Sequence, residues 1–110
     1  PFGKDVFQFA CTYMIQETEQ ILRKNDISVN QLNYFIPHQA NARITDFVAK
    51  KLKLDPTQIL TNIEQFGNTG SASTAIVLSD NWSKFKQNDN IVISVFGGGY
   101  SSGAVLLKKL

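Results

Sequence analysis

The chain has 110 residues, of which 43% are hydrophobic and 18% are charged, and its formal net charge is +2. This balance fits one globular domain with a real core, and it excludes a disordered chain and a general nucleic-acid binder, which needs a strongly basic surface. The single cysteine, Cys11, excludes an internal disulfide and a cysteine-based zinc cluster and fits a reducing cytoplasm, and no apolar run is long enough to span a membrane.

The first half of the chain is predicted to form a helix, a strand and a second helix. From Asp5 to Lys24 apolar residues recur at helical spacing, and Asn25-Asp26 ends that helix. The run Tyr34-Phe35-Ile36, followed by Pro37, predicts a buried strand that enters a loop. A second helix is predicted from about Asn41 to Lys53. Its apolar stripe is predicted to consist of four residues, Ile44, Phe47, Val48 and Leu52.

The second half adds a third helix between strands. Ile59 to Phe66 is loosely strand-like, and a helix is predicted from about Ser71 to Lys84. The continuous apolar run Ile91 to Phe96 indicates a strand buried on both faces of a sheet. After a tight connection at Gly97 to Gly103, Ala104 to Leu107 returns as a strand. The order α-β-α-β-α-β-β predicts an α/β domain with a layered mixed sheet that ends in a hairpin.

Two polar residues stand where a predicted strand gives way to a helix. His38 follows the first strand, and Asn68, in Gly67-Asn68-Thr69-Gly70, precedes the third helix. A helix N-terminus favours the neutral imidazole, which donates one hydrogen bond, and an asparagine amide donates at any pH near neutrality. Two such donors suit a site that stabilises negative charge on an oxygen. A purely structural interpretation is also open, with a hydrogen-bonding histidine and ordinary turn chemistry around the asparagine.

Cys11 completes, with His38 and Asn68, the residue types of a papain-like cysteine protease. It stands, however, in the middle of the apolar stripe of the first helix, between Phe7 and Met14. A nucleophilic thiolate needs a helix N-terminus or a cationic neighbour. The pattern therefore favours a core cysteine over a nucleophile.

Two further features each allow a functional and a structural interpretation. Gly97-Gly98-Gly99 lacks the spacing of phosphate-binding loops, and it fits either a hairpin with positive φ or a backbone that presents an N–H to a ligand. Basic residues cluster on the second helix, which makes either a solvated face or a docking surface for an acidic partner. They are Arg43, Lys50, Lys51 and Lys53.

Three motifs follow one another along the chain. They are Ile36-Pro37-His38-Gln39-Ala40-Asn41-x-Arg43-Ile44, Asn62-Ile63-x-x-Phe66-Gly67-Asn68-Thr69 and Phe96-Gly97-Gly98-Gly99-x-x-x-Gly103. Together they resemble the C-terminal domain of β-ketoacyl-acyl-carrier-protein synthase III, an enzyme of the thiolase-like fold. The resemblance covers nearly the whole chain and implies that residues 1–110 are the C-terminal domain of a longer enzyme, with the N-terminal half and its nucleophilic cysteine absent.

The resemblance implies a decarboxylative condensation in fatty-acid biosynthesis. In that family a cysteine of the N-terminal half is acylated by acyl-CoA, and malonyl-acyl carrier protein then decarboxylates and attacks the acyl-cysteine. His38 and Asn68 are expected to stabilise the malonyl enolate, and Gly98 to supply a backbone donor to the acyl carbonyl oxygen. Arg43, Lys50 and Lys51 are expected to dock the acidic carrier protein. Acyl-CoA and malonyl-acyl carrier protein are the expected substrates, and neither a metal nor a cofactor is expected.

The same resemblance implies a cytoplasmic homodimer that binds neither nucleic acid nor membrane. Two departures leave a specialised secondary-metabolite acyltransferase open: Gly70 to Ala75 lacks the family's frequent proline, and Ser101-Ser102 stands where many members have tryptophan. A non-catalytic carrier-protein-binding module and a Cys11-His38-Asn68 hydrolase also stay open. By itself the chain is expected to be inactive and to expose apolar surface.

Overall fold

The computed structural model describes residues 2–37, 42–61, 71–97 and 101–110, and it contains helices and strands joined by short turns. In chain order they are α1 (Phe2–Lys24), β1 (Tyr34–Ile36), α2 (Ala42–Lys51), α3 (Ser71–Asp80), β2 (Asn90–Gly97) and β3 (Ser101–Lys108). Short 3-10 turns lie at Val29–Gln31, Pro56–Gln58 and Trp82–Lys84. In these described parts, none of the helices combines the length and the apolar character that crossing a lipid bilayer demands.

The strands form one mixed sheet with the order β1-β2-β3. β1 runs parallel to β2, with Phe35 opposite Val92, and β2 runs antiparallel to β3 out to the pair Gly97 and Ser101. A parallel pair needs a long crossover, here containing α2 and α3, whereas the antiparallel pair closes as a hairpin. The predicted layered α/β fold and its final hairpin are confirmed.

The predicted strand from Ile59 to Phe66 is reduced, in the described residues, to a single bridge. Ile59 pairs in parallel with Phe35, and the Leu60 amide donates to the Phe35 carbonyl at 3.0 Å. The Ile59 amide instead donates to the carbonyl of Pro56 and closes the preceding 3-10 turn, at 3.2 Å. Residues 62–66 lie outside the described residues.

The first two helices, α1 and α2, end at non-glycine residues in the left-handed region. After α1, Asp26 has φ 57°, and the Ile27 amide donates to the Leu22 carbonyl at 2.9 Å. After α2, Lys53 has φ 59°, and the Leu54 amide donates to the Ala49 carbonyl at 2.9 Å. Both are Schellman-type ends. α2 therefore stops at Lys51, two residues before its predicted end.

The core lies on both faces of the sheet. On one face α1 and α2 pack over Phe35 and Val92, and on the other α3 packs over Ile36 and Ile91. Neighbouring residues of a strand point to opposite faces of the sheet. All four of these side chains are nevertheless 0% exposed, so both faces of the sheet are covered. The result is three layers, helices–sheet–helix, with strands buried as the apolar run in β2 predicted.

Candidate functional site

The parallel strands β1 and β2 leave the sheet at the same edge. Ile36 and Pro37, the last described residues there, are both fully buried, and α2 begins at Ala42. β2 ends at Gly97, one residue before Gly98. In open α/β sheets the carboxyl ends of the strands form the crevice in which ligands bind.

The three residues predicted to contact reacting oxygens lie outside the described residues. His38 falls in the segment 38–41 between β1 and α2, Asn68 falls in 62–70 before α3, and Gly98 falls in 98–100 between β2 and β3. Their flanking elements are described and are packed on one sheet, since α3 contacts β1 and β1 pairs with β2. The roles of His38, Asn68 and Gly98 stay predictions.

Cys11 is buried in the core, as its position on the apolar stripe predicted. It is 2% exposed and belongs to the cluster that contains Met14 and Phe35. Burial raises the pKa of the Cys11 thiol above its ordinary value, because a thiolate loses its hydration there. A protonated, enclosed thiol is a poor nucleophile, which speaks against a cysteine hydrolase.

The predicted docking residues all lie on the exposed side of α2. Arg43, Lys50 and Lys51 are exposed, while Ile44 and Val48 on the same helix are buried. The prediction that Phe47 belongs to the buried stripe is wrong, because its side chain is 40% exposed. The buried positions of α2 and of the turn after it are Ile44, Thr45, Val48 and Leu52. Phe47 lies to one side of them, where its ring contacts Phe7 of α1.

Phe47 belongs instead to a row in which two neighbouring rings lie between two cations. The Arg43 guanidinium carbon lies 5.3 Å from the centroid of the Phe7 ring on α1. The Phe7 and Phe47 rings meet edge to face, with centroids 5.7 Å apart and planes at 73°. The Lys51 Nζ lies 5.6 Å from the Phe47 centroid. We call Arg43, Phe7, Phe47 and Lys51 the cation–aromatic row.

Sequence reasoning missed this row, because it placed Phe7 and Phe47 only among core residues. One signal was present, since Arg43, Phe47 and Lys51 are spaced four residues apart and so share a helix face. The participation of Phe7 could not be deduced from spacing. It depends on the packing of α1 against α2.

A cavity of about 380 Å³ lies at the opposite edge of the sheet from Pro37. It is lined by Asn33, Tyr34, Thr57, Gln58, Lys84, Lys86 and Asp89. These residues precede β1 and β2 or lie beside their amino ends, so the cavity is remote from the carboxyl edge. In the described residues, no three His, Cys, Asp or Glu side chains gather closely enough to hold a metal ion.

Comparison with known proteins identifies relatives that match nearly the whole chain. Residues 22–109 match the family described as 3-oxoacyl-[acyl-carrier-protein] synthase III C terminal. The β-ketoacyl-[acyl-carrier-protein] synthase III of Clostridium novyi (strain NT) is 40% identical over 108 residues, which are 96% of this chain and 33% of that protein. The corresponding protein of Clostridium tetani (strain Massachusetts / E88) is 41% identical over 96% of this chain and 32% of its own length.

Solved structures agree with the sequence comparison. The 3-oxoacyl-[acyl-carrier-protein] synthase III of Aquifex aeolicus VF5 superposes with a TM-score of 0.92 and 34% identity, over 96% of this chain and 35% of that one. The enzyme of Pseudomonas aeruginosa PAO1 gives a TM-score of 0.90 and 33% identity, over 97% of this chain and 34% of that one. The chain thus spans about a third of the length of the relatives it matches.

Proposed function

This chain belongs to the 3-oxoacyl-[acyl-carrier-protein] synthase III family, as its C-terminal domain, and on that premise we propose that the full-length protein is a ketoacyl synthase. It condenses acyl-CoA with malonyl-acyl carrier protein in fatty-acid biosynthesis. The observation that carries this proposal is the match of fold and sequence over 96% of the chain to an enzyme of that name. Residues 1–110 then form one domain, and the other half of the enzyme supplies the acylated cysteine.

The proposed chemistry needs a place for negative charge on an oxygen. When the malonyl thioester loses CO₂, the electron pair of the broken C–C bond moves onto the thioester oxygen and forms an enolate. The His38 ring N–H and the Asn68 amide donate hydrogen bonds to that oxygen in this proposal. Fixed donors aimed at a developing oxyanion contribute roughly 10²–10³ each in rate.

The second step joins the two carbon chains. The enolate carbon attacks the carbonyl carbon of the acyl-cysteine, the Gly98 N–H donates to the oxygen that becomes negative, and the cysteine leaves as its thiolate. Support for Gly98 in this role comes from its position directly after β2, at the sheet edge where β1 also ends. Support for a neutral His38 comes from its position shortly before the N-terminus of α2.

The proposed partners follow from the same family. An acidic acyl carrier protein docks on Arg43, Lys50 and Lys51, whose exposure on one helix supports this assignment. The full-length enzyme acts as a cytoplasmic homodimer, in keeping with a chain whose single cysteine is a buried thiol. It uses no metal or cofactor apart from its two substrates, and it binds neither nucleic acid nor membrane.

The proposal is tested with the full-length protein, an acyl-CoA and malonyl-acyl carrier protein. We expect release of CO₂, formation of the β-ketoacyl carrier protein, and an acyl adduct on a cysteine outside residues 1–110. Binding of the carrier protein without CO₂ release would favour the non-catalytic module. Acylation of Cys11 at the rate of turnover would contradict the assignment of the nucleophile.

A further inference from the structure

We infer that Phe7 and Phe47 are positioning residues, which hold Arg43 and Lys51 ready to capture the acidic carrier protein. The inference rests on the proposed function, since it concerns the same docking surface. Its starting point is the cation–aromatic row, in which one ring from α1 and one from α2 stand between two cations of α2.

Phe7 is the member that anchors the row. Its side chain is partly buried and packs against the core cluster that contains Ile44 and Val48, so its ring has a fixed place. The Arg43 guanidinium lies over that ring, within the distance at which a cation is attracted to an aromatic face. The exposed Arg43 guanidinium is therefore held in place by the Phe7 ring, which itself packs against the core.

Phe47 extends the row toward Lys51. The Phe47 side chain is 40% exposed, so burial in the core does not by itself fix where its ring lies, and the edge-to-face contact with Phe7 and the Lys51 cation over the ring define its position. Arg43, Phe47 and Lys51 lie on one face of α2 at successive turns. The two cations are thus presented on the same exposed face of α2, about two helical turns apart.

The physical benefit is a smaller loss of entropy on docking. A solvated arginine or lysine samples many rotamers, and immobilising it at an interface costs free energy that lowers affinity. A ring that already restricts the cation reduces this loss without adding any contact to the partner. Removal of either ring should weaken capture of the carrier protein about threefold, the scale of an exposed cation–ring contact.

The test uses the full-length protein and compares two malonyl donors, the carrier-protein thioester and a thioester of a small thiol. We expect Phe7→Leu and Phe47→Leu each to raise the ratio of KM for the carrier protein to KM for the small thioester about threefold. Phe7→Trp and Phe47→Trp, which keep a ring, should restore the original ratio. A ratio unmoved by both leucine variants would overturn the inference.

A double-mutant cycle shows whether Phe7 acts through Arg43. In an Arg43→Ala background, Phe7→Leu should change the ratio by clearly less than threefold, because one of the two cations that depend on the Phe7 ring is gone. An equal threefold effect in both backgrounds would overturn the inference while leaving the dock in place. If Arg43→Ala itself leaves the ratio unchanged, the proposed dock is wrong, and the inference fails with it.

The chain offers a matched control in a second cation–ring pair. The Lys109 Nζ lies 4.2 Å from the centroid of the Trp82 ring, in the 3-10 turn after α3 and outside the docking surface. Trp82→Leu removes an exposed ring of similar kind, and we expect it to leave the ratio of KM values unchanged. A threefold rise in this control would show that loss of any such ring is enough, which contradicts a specific role for Phe7 and Phe47.

Discussion

Cys11 lies on α1 among the apolar side chains of the core, and its burial there determines the chemistry of its thiol. Its thiol is 2% exposed, and burial raises its pKa. Position on the apolar stripe was sufficient to predict this from the sequence. The exposure of Phe47 was not predictable in the same way, because a ring at the border of the buried side of a helix turns toward the core or toward a neighbouring helix according to what it packs against. Its neighbour, Phe7, belongs to another helix.

The raised pKa of Cys11 predicts a loss of stability in alkaline solution. The thiol favours the folded state at pH values below the pKa of the unfolded chain, for which the ordinary value is 9.0. As pH rises from there through the higher folded pKa, the unfolded chain loses its proton first, so unfolding becomes easier. Between about pH 7 and pH 10, the free energy of unfolding measured with denaturant should fall further for the natural protein than for Cys11→Ala. Equal losses would mean that other groups cause the alkaline effect.

The ends of the helices depend on packing more than on residue type. Leu52 and Leu54 are both buried, and placing both inside requires the chain to reverse at Lys53, which takes up a positive φ. Lysine gives no sequence signal for that conformation, so the predicted helix ran on to Lys53. Similarly, the sequence from Ile59 onward resembles a strand, but the Ile59 amide donates its hydrogen bond to the carbonyl of Pro56 in the preceding turn.

The left-handed backbone at Lys53 predicts that a glycine there stabilises the fold. A residue with a side chain pays a steric cost at φ 59° that glycine does not, which outweighs the greater freedom of glycine in the unfolded chain. We expect Lys53→Gly to raise the free energy of unfolding by about 0.5–1 kcal/mol. Lys50→Gly, inside α2, is the matched control and should lower it by about 1 kcal/mol. Destabilisation by both variants would contradict the assigned helix end.

At the scale of the whole molecule, the sequence motifs and patterns predict the layered fold and the family. The short aromatic and β-branched run in β1 and the continuous apolar run in β2 were enough to predict a sheet covered on both faces, as found. Large apolar side chains nevertheless remain accessible on the face that carries α3. Ile76 is 38% exposed, and Val105, opposite Ile93 in the β2–β3 pair, is 47% exposed.

This exposed apolar surface predicts that residues 1–110, expressed alone, associate with themselves. We expect sedimentation velocity to show species larger than the 12.3 kDa monomer at concentrations of about 100 μM. Ile76→Lys combined with Val105→Lys should shift the distribution toward monomer. Lysine at exposed positions on α1, such as Gln20→Lys, is the control and should leave the distribution as it is. A monodisperse monomer of the natural sequence would contradict the expectation.

In the proposed reaction, His38 and Asn68 stabilise the enolate and do not activate a nucleophile. The most direct measurement separates the two half-reactions in the full-length protein, following acylation by acyl-CoA and decarboxylation of malonyl-acyl carrier protein independently. We expect His38→Ala and Asn68→Ala each to slow decarboxylation by roughly 10²-fold or more while acylation continues at nearly its original rate. Equal loss of both half-reactions would contradict the assignment.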